Sequence, residues 1–258
     1  MLTEITGLVL RSVNVGESDR LITVFSKEMG TVSAMVKSAR SLKNRNMSST
    51  QQFCYSSMVL YKKGDKLWVR EASIIESFFG LRKTIEGLSL AGYIVEVLSD
   101  VTTAESEGEL LRLALNSLYA ISEEKYPLEK IKAAFEIRAM SIIGFMPDML
   151  SCRECDEELG SFYFDIMGGS IVCYTCHTKA EREHRNLPDD GERHIVTILS
   201  EGAKIALSYM IHCPLERIYA YNVSSDDMAL VAHAAEEYLL HQLERSFKSL
   251  EFYKEVKR

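Results

Sequence analysis

The chain has 258 residues, 47% of them hydrophobic and 26% charged, and a formal net charge of −7. That length holds one large domain or two to three small ones with real cores, and the composition excludes disordered and fibrous classes. No run of eighteen apolar residues exists to cross a bilayer, and Met1-Leu-Thr-Glu-Ile-Thr-Gly7 carries no signal-peptide pattern, so the chain reads as cytosolic.

The first eighty residues read as strands. Thr6–Val13, Arg20–Ser26 and Thr31–Lys37 are rich in Val, Ile, Thr and Leu, separated by turn-forming Asn14–Asp19 and Lys27–Gly30. Two more strands are expected at Phe53–Tyr61 and Lys66–Glu76, joined by Lys62-Lys-Gly-Asp65. Five short strands at this spacing fit a small barrel, most economically a five-stranded OB-like one over residues 1–80. From Leu81 the period becomes helical. Leu88, Ala91, Val95 and Leu98 share a face, then Leu110, Leu113, Leu115 and Leu118, then Ile131, Phe135, Arg138 and Ile142. Pro127 suits the first turn of the third of these helices and Pro147 is its expected stop. Glu201–Ile211 and Asp226–Leu250 are also helical, the latter as one long helix capped by Ser224 or Ser225. The fold class is therefore α+β and multidomain: the barrel, then an all-α domain over 81–258.

Interrupting the helices, Cys152-Arg-Glu-Cys155 and Cys173-Tyr-Thr-Cys176 are separated by seventeen residues. A C-x2-C loop turns tightly enough to aim two thiolates at one point. Two such knuckles joined by a hairpin complete a tetrahedron at about 2.3 Å per Zn–S bond. The hairpin is visible as Phe162-Tyr-Phe164 and Ile171-Val172 with Gly168-Gly169 between them, and Pro147 and Pro188 bracket the unit, giving a zinc-binding insert at about 148–187. Disulfides are disfavoured in a reducing compartment. His177, adjacent to Cys176, is the alternative ligand that would displace one of the cysteines. Cys54 and Cys213 read as buried hydrophobes and His184 as a surface residue. Four thiolates leave no open position on the metal, which makes the ion structural.

Charge is unevenly spread. Residues 1–80 hold eleven Lys or Arg against seven Asp or Glu, and Met29 to Gly64 contains no acidic residue. Lys37, Arg40, Lys43 and Arg45 fall within nine residues, a local anion-binding surface on an otherwise acidic chain. On Lys66-Leu-Trp-Val-Arg70, period-two alternation sets Trp68 between Lys66 and Arg70 on one face, as a single-strand-binding barrel requires. Tyr55 and Tyr61 share a face with Phe53 and Val59 and read as core. No P-loop, G-x-G-x-x-G, H-E-x-x-H or deaminase-type H-x-E occurs, and Glu123-Glu124 and Asp189-Asp190 sit in polar contexts that suit solvated acids rather than acid/base pairs. The chain reads as a non-enzyme.

The whole pattern resembles the bacterial recombination mediator family RecO, in its zinc-bearing branch. The resemblance is carried by Gly7-Leu-Val-Leu-Arg11, Gly16-Glu-Ser-Asp-Arg20, Val24-Phe-Ser-Lys-Glu-Met-Gly30, Lys37-Ser-Ala-Arg40, Gln51-Gln-Phe53 and the four cysteines. It implies an OB-fold, a helical domain with an inserted zinc finger, binding of single- and double-stranded DNA, and annealing of complementary strands without ATP. It also implies action with RecR and single-strand-binding protein to load RecA on gapped DNA, in the cytoplasm at the nucleoid. DNA contact is carried over to Lys37, Arg40 and the basic residues after them. Where the family reads Lys-Gly-Ala-Arg this chain has Ser38, and a positive φ at that position would strain the turn that aims Arg40. From another class, a zinc-knuckle adaptor with a passive barrel predicts partner binding without DNA binding. A zinc enzyme would need an exchangeable water, which four thiolates exclude.

Overall fold

The structure, a computed structural model, describes residues 2–41, 43–102, 108–184 and 195–257. Five strands open the chain: β1 (Leu2–Val15), β2 (Asp19–Ser26), β3 (Gly30–Val36), β4 (Tyr55–Lys63) and β5 (Lys66–Glu76). They close into a barrel in the order β1-β2-β3-β5-β4, antiparallel except where β3 meets β5. This is the OB-like barrel expected from the strand spacing. β1 serves two partners: its first half pairs with β4 and its second with β2, and a bulge between Val9 and Arg11 bends it from one to the other. Alternation sends Ile5, Val9, Ile22, Val24, Ala34, Val36, Met58, Leu60 and Val69 into a common core. On β4 the inward set is Ser56, Met58 and Leu60, so Tyr61 faces outward, half-buried, contrary to its reading as core. Both faces of that strand are apolar, so alternation alone could not choose between them.

Helices α1 (Ile85–Val101), α2 (Gly108–Ser122) and α3 (Leu128–Ile142) follow. Then come β6 (Phe162–Asp165), β7 (Ser170–Cys173), α4 (Tyr174–His184), β8 (Val196–Leu199), α5 (Glu201–His212), α6 (Ser225–Gln242) and α7 (Lys248–Val256). β6 and β7 are the expected hairpin. β8 pairs on the other edge of β6, a third strand that four residues of apolar alternation did not announce. Pro188 and the Asp189-Asp190 pair lie outside the described residues.

The chain divides into two compact units, Met1–Lys125 with Phe247–Arg258, and Tyr126–Ser246. In the first, α7 packs along α1: Phe247 meets Tyr93 edge-on at 5.8 Å between centroids, and Ser249 N–H donates to Glu96 Oε2 at 3.0 Å. In the second, α3 packs against α5 and α6. Lys132 lies at the α3–α6 contact, 5% exposed, with Nζ 2.8 Å from Glu136 Oε1 and 2.8 Å from Glu236 Oε2.

Two helix stops differ from expectation. Gly144, at φ 100, ends α3 before Pro147 is reached: Phe145 N–H donates to Met140 O at 2.8 Å. The single helix expected over Asp226–Leu250 is two. Glu244 takes the left-handed conformation at φ 51, its N–H donates to His241 O and Arg245 N–H donates to Leu240 O, both at 3.1 Å. That is the Schellman arrangement with glutamate where glycine is usual, which is why no stop signal is visible in the sequence. Ser224 is the N-cap of α6, accepting from Asp227 N–H at 3.1 Å.

Candidate metal centre and nucleic-acid interface

The four cysteines of the paired knuckles converge. Cys152 and Cys155 lie on a tight loop in which Asp156, at φ 60, donates its N–H to Cys152 O at 2.9 Å. Cys173 ends β7 and Cys176 sits in the first turn of α4. All four Sγ atoms lie within 4.8 Å of one another, and Cys155 and Cys173 are 3.7 Å apart. Four thiolates around one ion at about 2.3 Å each are separated by roughly 3.8 Å, so the donor set fits a metal with small adjustment. Backbone N–H groups already point at the sulfurs: Cys173 N–H lies 3.3 Å and Glu154 N–H 3.5 Å from Cys152 Sγ, and Cys176 N–H is 3.5 Å from Cys173 Sγ. Burial pushes the Cys152 thiol up, but the N–H groups of Cys173, Glu154 and Cys155 bring it down to about 7. Cys176 is pushed up to about 12, first by its contacts with Cys155 and Cys173. The protein alone thus favours one thiolate and resists its neighbours, and a cation at the centre removes that conflict.

The surroundings hold the knuckles rigid. Arg153 Nη1 donates to Asp165 Oδ2 at 2.8 Å and to Ser170 Oγ at 3.1 Å, locking the first knuckle to the hairpin. His177 stacks on Tyr163 with centroids 3.8 Å apart and is no part of the sulfur cluster. Cys54 and Cys213 are buried, as expected, at 4% and 9% exposure.

The basic segment lies between β3 and β4. Lys37, Arg40, Lys43 and Arg45 are all exposed, and among the described residues none of them forms an ion pair. The segment is not a free arm. Ser41 N–H donates to Ser38 O, Asn44 N–H to Ser41 O and Met47 N–H to Asn44 O, a run of successive turns. One end is fastened to the β1–β2 turn: Ser38 N–H donates to Asp19 Oδ1 at 2.8 Å, and Arg40 Nη1 to Glu17 O at 3.0 Å. Further on, Asn46 pairs with β5 as a strand would, donating to Arg70 O at 3.2 Å and accepting from Ala72 N–H at 3.0 Å. Ser38 has φ 51, so the strain expected of serine in place of glycine is present, offset by its bond to Asp19.

β5 carries the other cations. Leu67 and Val69 turn to the core and Trp68 turns out, half-buried, with Lys63 Nζ 5.9 Å from its ring centroid. Lys66 and Arg70 are exposed, Arg70 lying 3.9 Å from Glu71. Parallel pairing of Met35 with Trp68 puts Lys37 and Arg70 on the same side of the ring, each two residues onward, while Lys66 lies on the other side. Asn46 brings Arg45 toward Arg70. The loop and β5 therefore form one surface, although Lys66 is separated from the loop by the tryptophan. Lys63, the hairpin partner of Lys66, is a further cation beside this ring that the sequence reading does not single out.

No helix among the described residues is long and apolar enough to cross a membrane. Residues 1–78 match the family model "Recombination protein O N terminal" and residues 82–251 match "Recombination protein O C terminal". The DNA repair protein RecO of Acetivibrio thermocellus is 34% identical over 256 residues, covering 98% of this chain and 96% of its own. That of Alkaliphilus metalliredigens is 32% identical over 69% of this chain and 73% of its own, and that of Symbiobacterium thermophilum 27% identical over 97% and 96%. Both halves of the chain are thus matched, and the chain belongs to the RecO family.

Proposed function

We propose that this chain is a recombination mediator. It binds single- and double-stranded DNA through the barrel of residues 1–80, anneals complementary strands without ATP, and acts with RecR and single-strand-binding protein to load RecA on gapped DNA in the cytoplasm. The observation that carries the reading is the exposed cation cluster Lys37, Arg40, Lys43 and Arg45, which forms no ion pair among the described residues and is continuous through Asn46 with Arg70 on β5. Lys66 and Trp68 complete the contact set. The mechanism is electrostatic and non-enzymatic: bound Lys and Arg neutralise phosphates, release counterions, and lower the repulsion between two strands until base pairing nucleates. The loop's fixed turns reduce the ordering that binding would otherwise require.

The test is annealing of two complementary labelled strands followed by energy transfer, without nucleotide. The expected result is acceleration of at least about tenfold over the spontaneous rate at low salt, fading as salt rises. A folded protein that binds RecR but neither binds nor anneals DNA would make the adaptor reading the correct one.

The knuckle holds one zinc ion in a structural role in this reading, ligated by Cys152, Cys155, Cys173 and Cys176. Metal analysis is expected to find one zinc per chain. Stripping it at neutral pH is expected to lower the thermal unfolding midpoint and expose the segment around the hairpin to hydrogen exchange. Structural zinc supplies about 10–16 kcal/mol of apparent binding free energy in finger peptides, and that energy is linked to folding. An unchanged melt after complete removal would overturn the structural role.

A further inference from the structure

The four cysteines of the knuckles are not equally open to solvent. Cys152 and Cys173 are 0% and 6% exposed, Cys176 is half-buried, and Cys155 is exposed. The buried pair is further shielded by backbone. Cys152 Sγ receives the N–H groups of Cys173 and Glu154, and Cys173 Sγ receives that of Cys176. Thiol oxidation follows exposure and thiolate character, so Cys155 is the sulfur that a dissolved oxidant meets first.

A second sulfur stands ready to resolve that oxidation. Cys173 Sγ, on the opposite knuckle, lies 3.7 Å from Cys155 Sγ. A disulfide brings two sulfurs to about 2.05 Å, so each side chain has to move by roughly 0.8 Å. Cys54 and Cys213 are buried and stand outside this cluster.

We propose that Cys155 is a peroxide-reactive site, and that Cys155 and Cys173 form a reversible disulfide that ejects the ion from the knuckle. This rests on the reading of the cluster as a zinc centre and adds a reactivity to it. Cys155 Sγ attacks one oxygen of hydrogen peroxide; the S–O bond forms, the O–O bond breaks, and the second oxygen leaves as water with a proton from solvent. Cys173 Sγ then attacks the Cys155 sulfenic sulfur. The S–S bond forms, the S–O bond breaks, and hydroxide leaves as water with a second proton. Two thiolates have lost two electrons, and one peroxide has been reduced to two waters. Cys152 and Cys176 alone cannot complete a tetrahedral site. The new bond spans the two knuckles, so the hairpin stays tied to the Cys152–Cys155 loop while the ion is out. Thiols of a reducing compartment can then reverse it by exchange.

The zinc-loaded full-length protein is treated with hydrogen peroxide while a chromogenic chelator follows zinc release. Remaining thiols are blocked after unfolding, and disulfide-linked peptides are mapped by mass spectrometry. The expected result is release of the ion together with a peptide pair joined through Cys155 and Cys173, with Cys54 and Cys213 still blockable as thiols. Dithiothreitol and added zinc are expected to restore the loaded protein. Cys155→His keeps four ligands but removes the exposed sulfur, so it is expected to hold zinc and release it at least about tenfold more slowly. Should that variant fail to take zinc, the wild-type peptide map decides. A loaded wild type that keeps its ion, or loses it without the Cys155–Cys173 bond, would overturn the switch and leave the zinc centre standing. So would a Cys155→His protein that releases zinc at the wild-type rate. A folded chain that takes up no zinc would overturn both.

Discussion

Reversing Lys37, Arg40, Lys43 and Arg45 to Glu together abolishes the steep salt dependence of single-strand binding. With about four to six phosphates neutralised, the wild-type affinity falls roughly 50- to 300-fold between 50 and 200 mM salt, because each contact on a single strand adds about 0.7 to the logarithmic slope. The variant has lost those contacts and added four anions, so it binds weakly at both salts. The folded state tolerates the change. None of the four forms an ion pair among the described residues, and of the four only Arg40 anchors the loop with its side chain, through Glu17 O; the rest of the loop is held by backbone groups and the side chains of Asp19, Asn44 and Asn46. Fluorescence anisotropy at the two salts checks the result, with a melt to confirm folding. A variant that keeps the wild-type slope would move the phosphate contacts elsewhere on the barrel.

Replacing Lys132 by Met is expected to destabilise the second unit by about 3–5 kcal/mol, the cost of stripping one partner from a buried ionic group. In the native protein burial works against the Lys132 charge, but Glu136 and then Glu236 more than offset it, so its pKa lies above the ordinary lysine value. A raised lysine contributes its stability in full below the unfolded-state pKa and loses it only as pH climbs through the folded value. The contribution is therefore flat across neutral pH. In the variant two carboxylates face each other without the ammonium. The deficit is expected to shrink as pH falls toward the carboxylate range, where one of them protonates. Urea titrations at neutral and mildly acidic pH measure this, and Glu136→Gln in the Lys132→Met background is expected to recover part of the loss. A deficit that does not change with pH would mean that packing, not charge, holds this contact.

The barrel could be read from the residues because its strands are short, separated by Gly- and Asp-bearing turns, and alternate cleanly at Ile22, Val24 and Val69. The cysteine cluster could be read because thiolate spacing is itself a geometric statement. What escaped was information held in long-range pairing. Tyr61 reads as core because β4 is apolar on both faces, and only its register with Trp68 decides the side. β8 is four residues long and gains its identity from β6. The break at Glu244 hides because an ordinary side chain adopts a conformation that sequence reasoning reserves for glycine. The fixed loop hides for a related reason: Asn46 acts by imitating a peptide group, which composition does not distinguish from any polar residue.

The return of α7 to α1 makes the barrel-bearing unit discontinuous in sequence, with Tyr126–Ser246 spliced into it. During synthesis the ribosome delivers the barrel, α1 and α2 first, then the whole of the inserted unit, and α7 only after it. The face of α1 against which α7 packs is thus made early and stays open until the inserted unit has been synthesised. The inserted unit can complete its own core in that interval, whereas the unit that emerged first is the last to close. Messages truncated shortly before residue 247 should accordingly yield chains whose second unit is sound and whose first exposes a strip of α1, a ready target for chaperones and proteases.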